Sequence, residues 1–535
     1  MKITFIEPQP PGMHVFSRVH LPRLGPVLLA TLLARDGHRT SVILEETEPI
    51  DWNQLLDCDL VGISSITSTA PRAYAIADRL RSIGIPVVLG GPHPTFLADE
   101  ALEHADWVMR GEADSVITRF VDAVARKEGF AEVPGLSWRN EGRVVHNPLA
   151  QPVADLDTLP APDLGLLRRQ KPGRFDFAAS HTLPLQTSRG CPYDCSFCSV
   201  TSMFGRRYRF RSAKPVVEEL QSRSFAGAHV FFYDDNFTAN PARARELLNA
   251  MIDANVKPEW STQVHTDCAR HEGLLPLMRR AGCETVYVGF ESINPRTLEL
   301  YDKAQTVEGM EKAIAAIHAA GIRVHGMFVF GSDADDQETI RRTARWAIAR
   351  EIDSVQFLIL TPLPGTRVFE ELESSGRLLT RDWALYDTHH VVFRPSQMSP
   401  YALQMETLRA QAKFYSMGQV LQSVVRRHRF NTFIRLYAAY HNHAWLRTHK
   451  GFLDRLRKLD DGGRAIDFRP NGTEEARAYR ATVGTEPAPE EKSQRSQRAQ
   501  KAEGCLVFSG SLRGYSQPEP EPEPDSGSSR HRTIV

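Results

Sequence analysis

The stretch "TSRGCPYDCSFCSV", residues 187–200, sets Cys191, Cys195 and Cys198 within eight positions. At i, i+4 and i+7 the three could share one helical face, but Gly190 before the first and Pro192 after it favour a loop. A short loop can wrap three thiolates around one soft metal centre. The plain alternative is three buried thiols on a packed face. Zinc would need a fourth ligand, and His181, ten residues upstream, is the nearby candidate. A four-iron cluster held by three thiolates differs in leaving one iron open to another ligand.

The surroundings of this loop predict the fold. It follows the strand-like run "LPLQTSR" and heads a β/α series whose further strands are "HVFFYDD", "EWSTQVH", "TVYVGFES", "VHGMFVFG" and "SVQFLILTPLP". Six β/α units make a partial barrel, with the cysteine loop on the carboxyl-end face where barrels do chemistry. Ahead of it, "KITFIE", "TSVILEE", "LVGISSI", "IPVVLGG" and "DWVMRG" alternate with helical patterns. Continuous apolar strands of this kind suit a parallel sheet covered on both faces, so the expected class is α/β with a doubly wound N-terminal domain.

The expected boundaries are an α/β domain over 1–130, a proline-bearing linker over 131–182, the barrel over 183–395 and a helical region over 396–469. Residues 470–535, with "SQPEPEPEPDSGSSR", are low in complexity and are expected to form a disordered tail that carries Cys505. The 535-residue chain has 65 Lys+Arg against 65 Asp+Glu, which gives no global field to collect nucleic acid. Seven cysteines, an odd and modest number, argue for a reducing compartment. Neither a signal peptide nor a spanning helix is evident, so the expected location is cytoplasmic.

"CPYDCSFC" resembles the CxxxCxxC motif of the radical S-adenosylmethionine enzymes, including the aromatic Phe197 before the last cysteine. The resemblance implies a [4Fe-4S] cluster on Cys191, Cys195 and Cys198, with S-adenosylmethionine on the open iron and cleaved to a 5′-deoxyadenosyl radical. It also implies an external electron donor such as flavodoxin or ferredoxin. "FFYDDNF" (231–237) resembles the segment that holds the cofactor's ammonium, with Asp234 and Asp235 as candidates. For either of them an N-cap is the plainer role. "VGFES" (288–292) resembles a later strand end that contacts the ribose or carboxylate, which points to Glu291 and Ser292.

The first domain resembles that of the cobalamin-binding members. "CDLVGISSITSTA" supplies Ser64 and Thr67 for the nucleotide tail, and "PVVLGGPHPT" supplies Gly90 and Gly91 for close backbone approach. "VMRGEAD" (108–114) matches a further recurrent segment. The loop after the first strand lacks Asp-x-His-x-x-Gly, and His14 lies in it without the flanking pattern. The resemblance implies cobalamin as a third cofactor and methylation of an unactivated carbon on a small-molecule or lipid substrate. Cyclisation or lipid coupling without methyl transfer is the alternative, and a non-catalytic iron–sulfur carrier or sensor a second one.

Residues 424–458 are rich in Arg, His and aromatics. They read either as a peripheral membrane contact or, more plainly, as a helical subdomain with solvated basic faces.

Overall fold

Apolar runs rich in Val, Ile and Phe become strands, and the amphipathic stretches between them cover the sheets. The computed structural model describes residues 1–10, 12, 21–167, 182–222, 229–426 and 429–461. The first sheet holds β1 (Lys2–Glu7), β2 (Arg39–Leu44), β3 (Leu60–Ser64), β4 (Val87–Gly90), β5 (Trp107–Met109), β6 (Leu136–Asn140) and β7 (Arg143–His146). Its order is β2-β1-β3-β4-β5-β6-β7. The first five strands are parallel, and β1 pairs with both β2 and β3. Strand order therefore reverses at β1, and the crevice beyond the carboxyl ends of β1 and β3 is the place for a ligand. Separate apolar clusters fill the two faces of this sheet.

The expected linker is not one over its first part. β6 and β7 form a hairpin that adds antiparallel to β5, with Asn140 opposite Arg143. Glu141 and Gly142 both have positive φ, 49° and 80°, as a two-residue hairpin turn requires. The chain then recrosses the sheet, and Leu167 bridges to Val42 beside the opposite edge.

The second sheet contains β8 (Thr182–Leu185), β11 (His229–Phe232), β12 (Glu259–Val264), β13 (Cys283–Glu291), β14 (Arg323–Phe330) and β15 (Ser354–Ile359). They are parallel and in sequential order, so β8 and β15 are the open edges of a partial barrel. Between β8 and β11, the short β9 (Ser188–Arg189) and β10 (Arg209–Phe210) pair antiparallel and close the base of the cysteine loop. Four helices, Pro400–Phe414, Met417–Val425, Arg429–Thr448 and Lys450–Asp460, follow the barrel. Tyr415 fastens them to it: its hydroxyl accepts from Val355 N at 2.9 Å and donates to Val355 O at 2.7 Å. His14, His181, Cys505 and the expected tail lie outside the described residues.

Candidate metal and cofactor site

Gly190 starts the cysteine loop at φ 84°, and a Cβ there would meet Arg207 O at 2.7 Å. Only glycine lets the two sides of the loop come this close. The loop is then clamped to the barrel. Ser196 N donates to Tyr301 O at 3.2 Å, Ser196 Oγ to Leu300 O at 3.0 Å, and Cys198 N to Cys195 O at 3.1 Å. Phe197 rests on Tyr301, with ring centroids 4.9 Å apart. Tyr193 stacks on His265 and donates to Asp267.

Burial pushes all three thiols up in this ligand-free chain, Cys198 to about 12. Binding iron would ionise them, since the thiolate is the ligand. Among the described residues no three His, Cys, Asp or Glu side chains are grouped to chelate one ion. A four-iron cluster takes each thiolate on a different iron, so it does not require that convergence. A three-thiol donor set on a glycine-pinched loop fits such a cluster.

The two candidate aspartates diverge. Asp234 is fully buried and accepts from Thr187 N at 2.7 Å, from Ser188 N at 3.0 Å and from the Thr187 hydroxyl. It fixes the turn from β8 into the cysteine loop, which corrects its expected role on the cofactor. Neither aspartate caps the next helix; Asn240 does, accepting from Arg243 N. Asp235 lines the cavity beside the loop. Burial, then the charge of Asp234, raises its pKa to about 6, against a Gly190 N–H bond that lowers it.

Ser292 is likewise committed locally: its Oγ accepts from Asn294 N at 3.0 Å, and Asn294 caps the helix Pro295–Leu300. Glu291 has φ 60° at a register shift in β13 and accepts from Lys303 Nζ at 2.8 Å. Burial works against the Lys303 charge, yet Glu291 and then Cys195 outweigh it and hold its pKa above the ordinary value. Gly289 makes this pair possible, since a Cβ there would collide with the Glu291 carboxylate. Lys303 escaped the sequence reading because it sits after a helix with no motif around it.

The recurrent segment 108–114 finds its purpose here. Glu112 and Asp114 bind Arg189, at 2.9 and 2.6 Å, and Glu112 also binds Arg209. Arg189 and Arg209 belong to β9 and β10, so this buried network joins the first domain to the base of the cysteine loop.

A cavity of about 330 Å³ lies across that junction. From the first sheet come Ser64, Gly90 and Gly91; from the barrel come Arg189, Tyr233 and Asp235, with Ser199 and Met203 of the helix that follows Cys198. At Gly91, φ is 95°, and a Cβ would meet Ser65 O at 2.5 Å. At Gly90 the nearest atom would be Met109 O at 3.6 Å, an ordinary contact. The buried Ser65 hydroxyl has no hydrogen-bond partner among the described residues. A glycine cradle at the switch of strand order, with an orphaned hydroxyl beside it, fits a flat cofactor between the two sheets. Thr67 instead lines a second cavity of about 570 Å³, which shares Arg23, Ile66, Ser199 and Tyr233 with the first.

Comparison with known proteins agrees with this geometry. The Radical SAM superfamily matches residues 185–347, and the B12 binding domain matches residues 17–121. An uncharacterised methyltransferase of Pyrococcus horikoshii is 31% identical over 75% of this chain and 89% of its own. The bacteriochlorophyllide d C-12(1)-methyltransferase of Chlorobaculum tepidum is 29% identical over 68% of this chain and 76% of its own. The anaerobic magnesium-protoporphyrin IX monomethyl ester cyclase of Rubrivivax gelatinosus is 30% identical over 68% and 67%. Two solved structures share the fold. The radical S-adenosylmethionine methyltransferase TsrM of Kitasatospora setae, with cobalamin and [4Fe-4S] cluster bound, has a TM-score of 0.61 at 17% identity, covering 86% of this chain and 99% of that one. The cobalamin-dependent S-adenosylmethionine radical enzyme OxsB has a TM-score of 0.65 at 15% identity, covering 95% and 82%. The chain belongs to the cobalamin-binding radical S-adenosylmethionine enzymes, and its cofactors are a [4Fe-4S] cluster, S-adenosylmethionine and cobalamin.

Proposed function

We propose that this enzyme transfers a methyl group to an unactivated carbon of a mainly apolar substrate. The observation that carries the reading is the shared cavity: the helix after Cys198 and the Gly90–Gly91 cradle face one space. When bound, the cofactors supply the electron that cleaves S-adenosylmethionine, the radical that removes hydrogen, and a carrier for the methyl group.

The chain's own residues position and shield. Cys191, Cys195 and Cys198 hold the cluster. Asp235 takes the S-adenosylmethionine ammonium, and a nearby cation favours its ionised form. Glu291, fixed by Lys303, would contact the ribose or the carboxylate of S-adenosylmethionine. Ser64, Gly90 and Gly91 seat cobalamin. An external reductant of the flavodoxin or ferredoxin class supplies the electron.

The second cavity is the substrate chamber. Phe96, Leu363, Tyr386 and Trp445 give it apolar and aromatic walls. Asp387, also in its wall, is occupied by His390 Nδ1 at 2.9 Å and by the His389 and His390 amides. His449 stacks on Trp445 at 4.1 Å, and burial, then the charge of His390, pushes its pKa down to about 4. It is neutral at physiological pH, so the chamber presents no cation from this side.

The test is anaerobic reconstitution with iron, sulfide and cobalamin, followed by turnover with reduced flavodoxin, S-(methyl-d3)-adenosylmethionine and apolar extracts. Label in a product, with both 5′-deoxyadenosine and S-adenosylhomocysteine formed, supports the reading. 5′-Deoxyadenosine with an unlabelled, cyclised product overturns methyl transfer in favour of the reaction named for the cyclase relative.

A further inference from the structure

The helices Met417–Val425 and Arg429–Thr448 pack on each other. Arg435 joins them, donating to Gln419 O at 2.9 Å and Ser423 Oγ at 2.7 Å. Asn431 ties the second helix to the barrel through Asp353 at 3.0 Å. Their inner faces are thereby used, and their outer faces are apolar. Met417, Leu421, Val424 and Val425 recur at helical spacing and are exposed on the first helix. Phe430, Phe433, Leu436 and Tyr440 do the same on the second, with Phe433 67% and Tyr440 69% exposed.

Eight of the twelve exposed large apolar side chains among the described residues fall in this one pair of helices. That concentration marks a surface built to be covered.

Charge identifies what covers it. Between Glu406 and Asp454 there is no acidic residue, against eight Lys or Arg. The stripe of Phe433 and Tyr440 continues at helical spacing into exposed His443 and Arg447, and Lys450 is exposed beyond. Arg435 is turned inward, and Arg426 pairs with Glu351 across the edge. A second copy of this face would bring like charges together, whereas an anionic lipid surface matches both the apolar centre and the basic end. No helix among the described residues is long and apolar enough to cross a membrane, so the contact is one that lies on the surface.

We propose that the paired helices Met417–Val425 and Arg429–Thr448 form a docking face for an anionic phospholipid bilayer, with Phe433 and Tyr440 inserted at the headgroup level. The inference stands apart from the identity of the methyl acceptor.

The full chain should co-sediment with vesicles of phosphatidylcholine and phosphatidylglycerol in equal parts, and less with phosphatidylcholine alone. The double variant Phe433→Ser/Tyr440→Ser should lose roughly tenfold in vesicle partitioning. Arg447→Glu/Lys450→Glu should abolish the preference for anionic vesicles. All are exposed sites, and unchanged circular dichroism and thermal midpoint confirm folding. Equal partitioning of variant and parent overturns the proposal, as does absence of binding by the parent. A parent that sediments as a dimer and becomes monomeric in Phe433→Ser/Tyr440→Ser, without binding vesicles, overturns it in favour of a second copy.

Discussion

Arg189, two residues before Cys191, is held by Asp114 of the first domain at 2.6 Å, with both side chains almost wholly buried. Burial opposes the Arg189 charge, and Asp114 and Glu112 more than restore it. The geometry of the cluster loop therefore depends on a segment nearly eighty residues upstream. Asp114→Asn leaves a buried cation short of its partner, which should cost about 3 kcal/mol. Urea unfolding measures the loss, and iron per chain after reconstitution should fall with it.

The divergence of Asp234 and Asp235 gives two separable outcomes. Asp234→Ala strands three donors at the end of β8 and should destabilise the ligand-free chain by about 2–4 kcal/mol. Asp235→Asn should leave the unfolding midpoint at about pH 4, where the carboxyl is protonated, near the parent value, while weakening S-adenosylmethionine binding at neutral pH by about tenfold or more, read by equilibrium dialysis.

Asp235 also predicts a pH dependence. Its folded pKa, about 6, lies above the unfolded value of 3.8. The folded state of the ligand-free chain is favoured while the group stays protonated, and that contribution is lost as pH rises from about 4 through 6. Asp335, also raised to about 6 by burial, acts in the same window. Asp235→Asn should flatten part of the decline in stability between pH 4 and 7, and bound S-adenosylmethionine should flatten it by favouring the carboxylate. An unchanged pH profile in the variant would remove Asp235 from the cavity wall.

Adjacent glycines should behave unequally. Gly91→Ala places a Cβ against Ser65 O at positive φ and should cost about 1–3 kcal/mol together with cobalamin stoichiometry. Gly90→Ala meets only an ordinary contact and should keep near-parent stability. Cobalamin per chain and thermal midpoints decide it.

Lys303 acts on the cysteine loop through charge. Burial raises the pKa of both Cys191 and Cys195, and the Lys303 ammonium opposes that rise. Lys303→Met removes a cation that favours the reduced, more negative cluster. The midpoint potential should drop by on the order of tens of millivolts, by spectroelectrochemistry.

The eleven core strands were legible because buried parallel strands are continuous apolar runs between turn residues, and the cysteine loop because its spacing has one strong chemical use. The hairpin β6–β7 was hidden behind the polar pair Glu141–Gly142, whose turn geometry is plain only once both strands are paired. The partners of Asp234 and Ser292 are backbone amides, which sequence does not mark. Lys303 and Arg189 gain their roles from residues distant in the chain. The helical region was readable as basic and aromatic, but only packing reveals that Arg435 points inward while Phe433 points out.

The helix Arg429–Thr448 carries exposed Tyr440 and, five residues on, Trp445 in the wall of the cavity proposed as the substrate chamber. Along the axis that is about 7.5 Å, less than the length of a lipid chain. A substrate arriving over such a span need never enter bulk water. Turnover would then follow its mole fraction in the bilayer rather than its total concentration, and diluting it with inert lipid would slow the enzyme at constant amount.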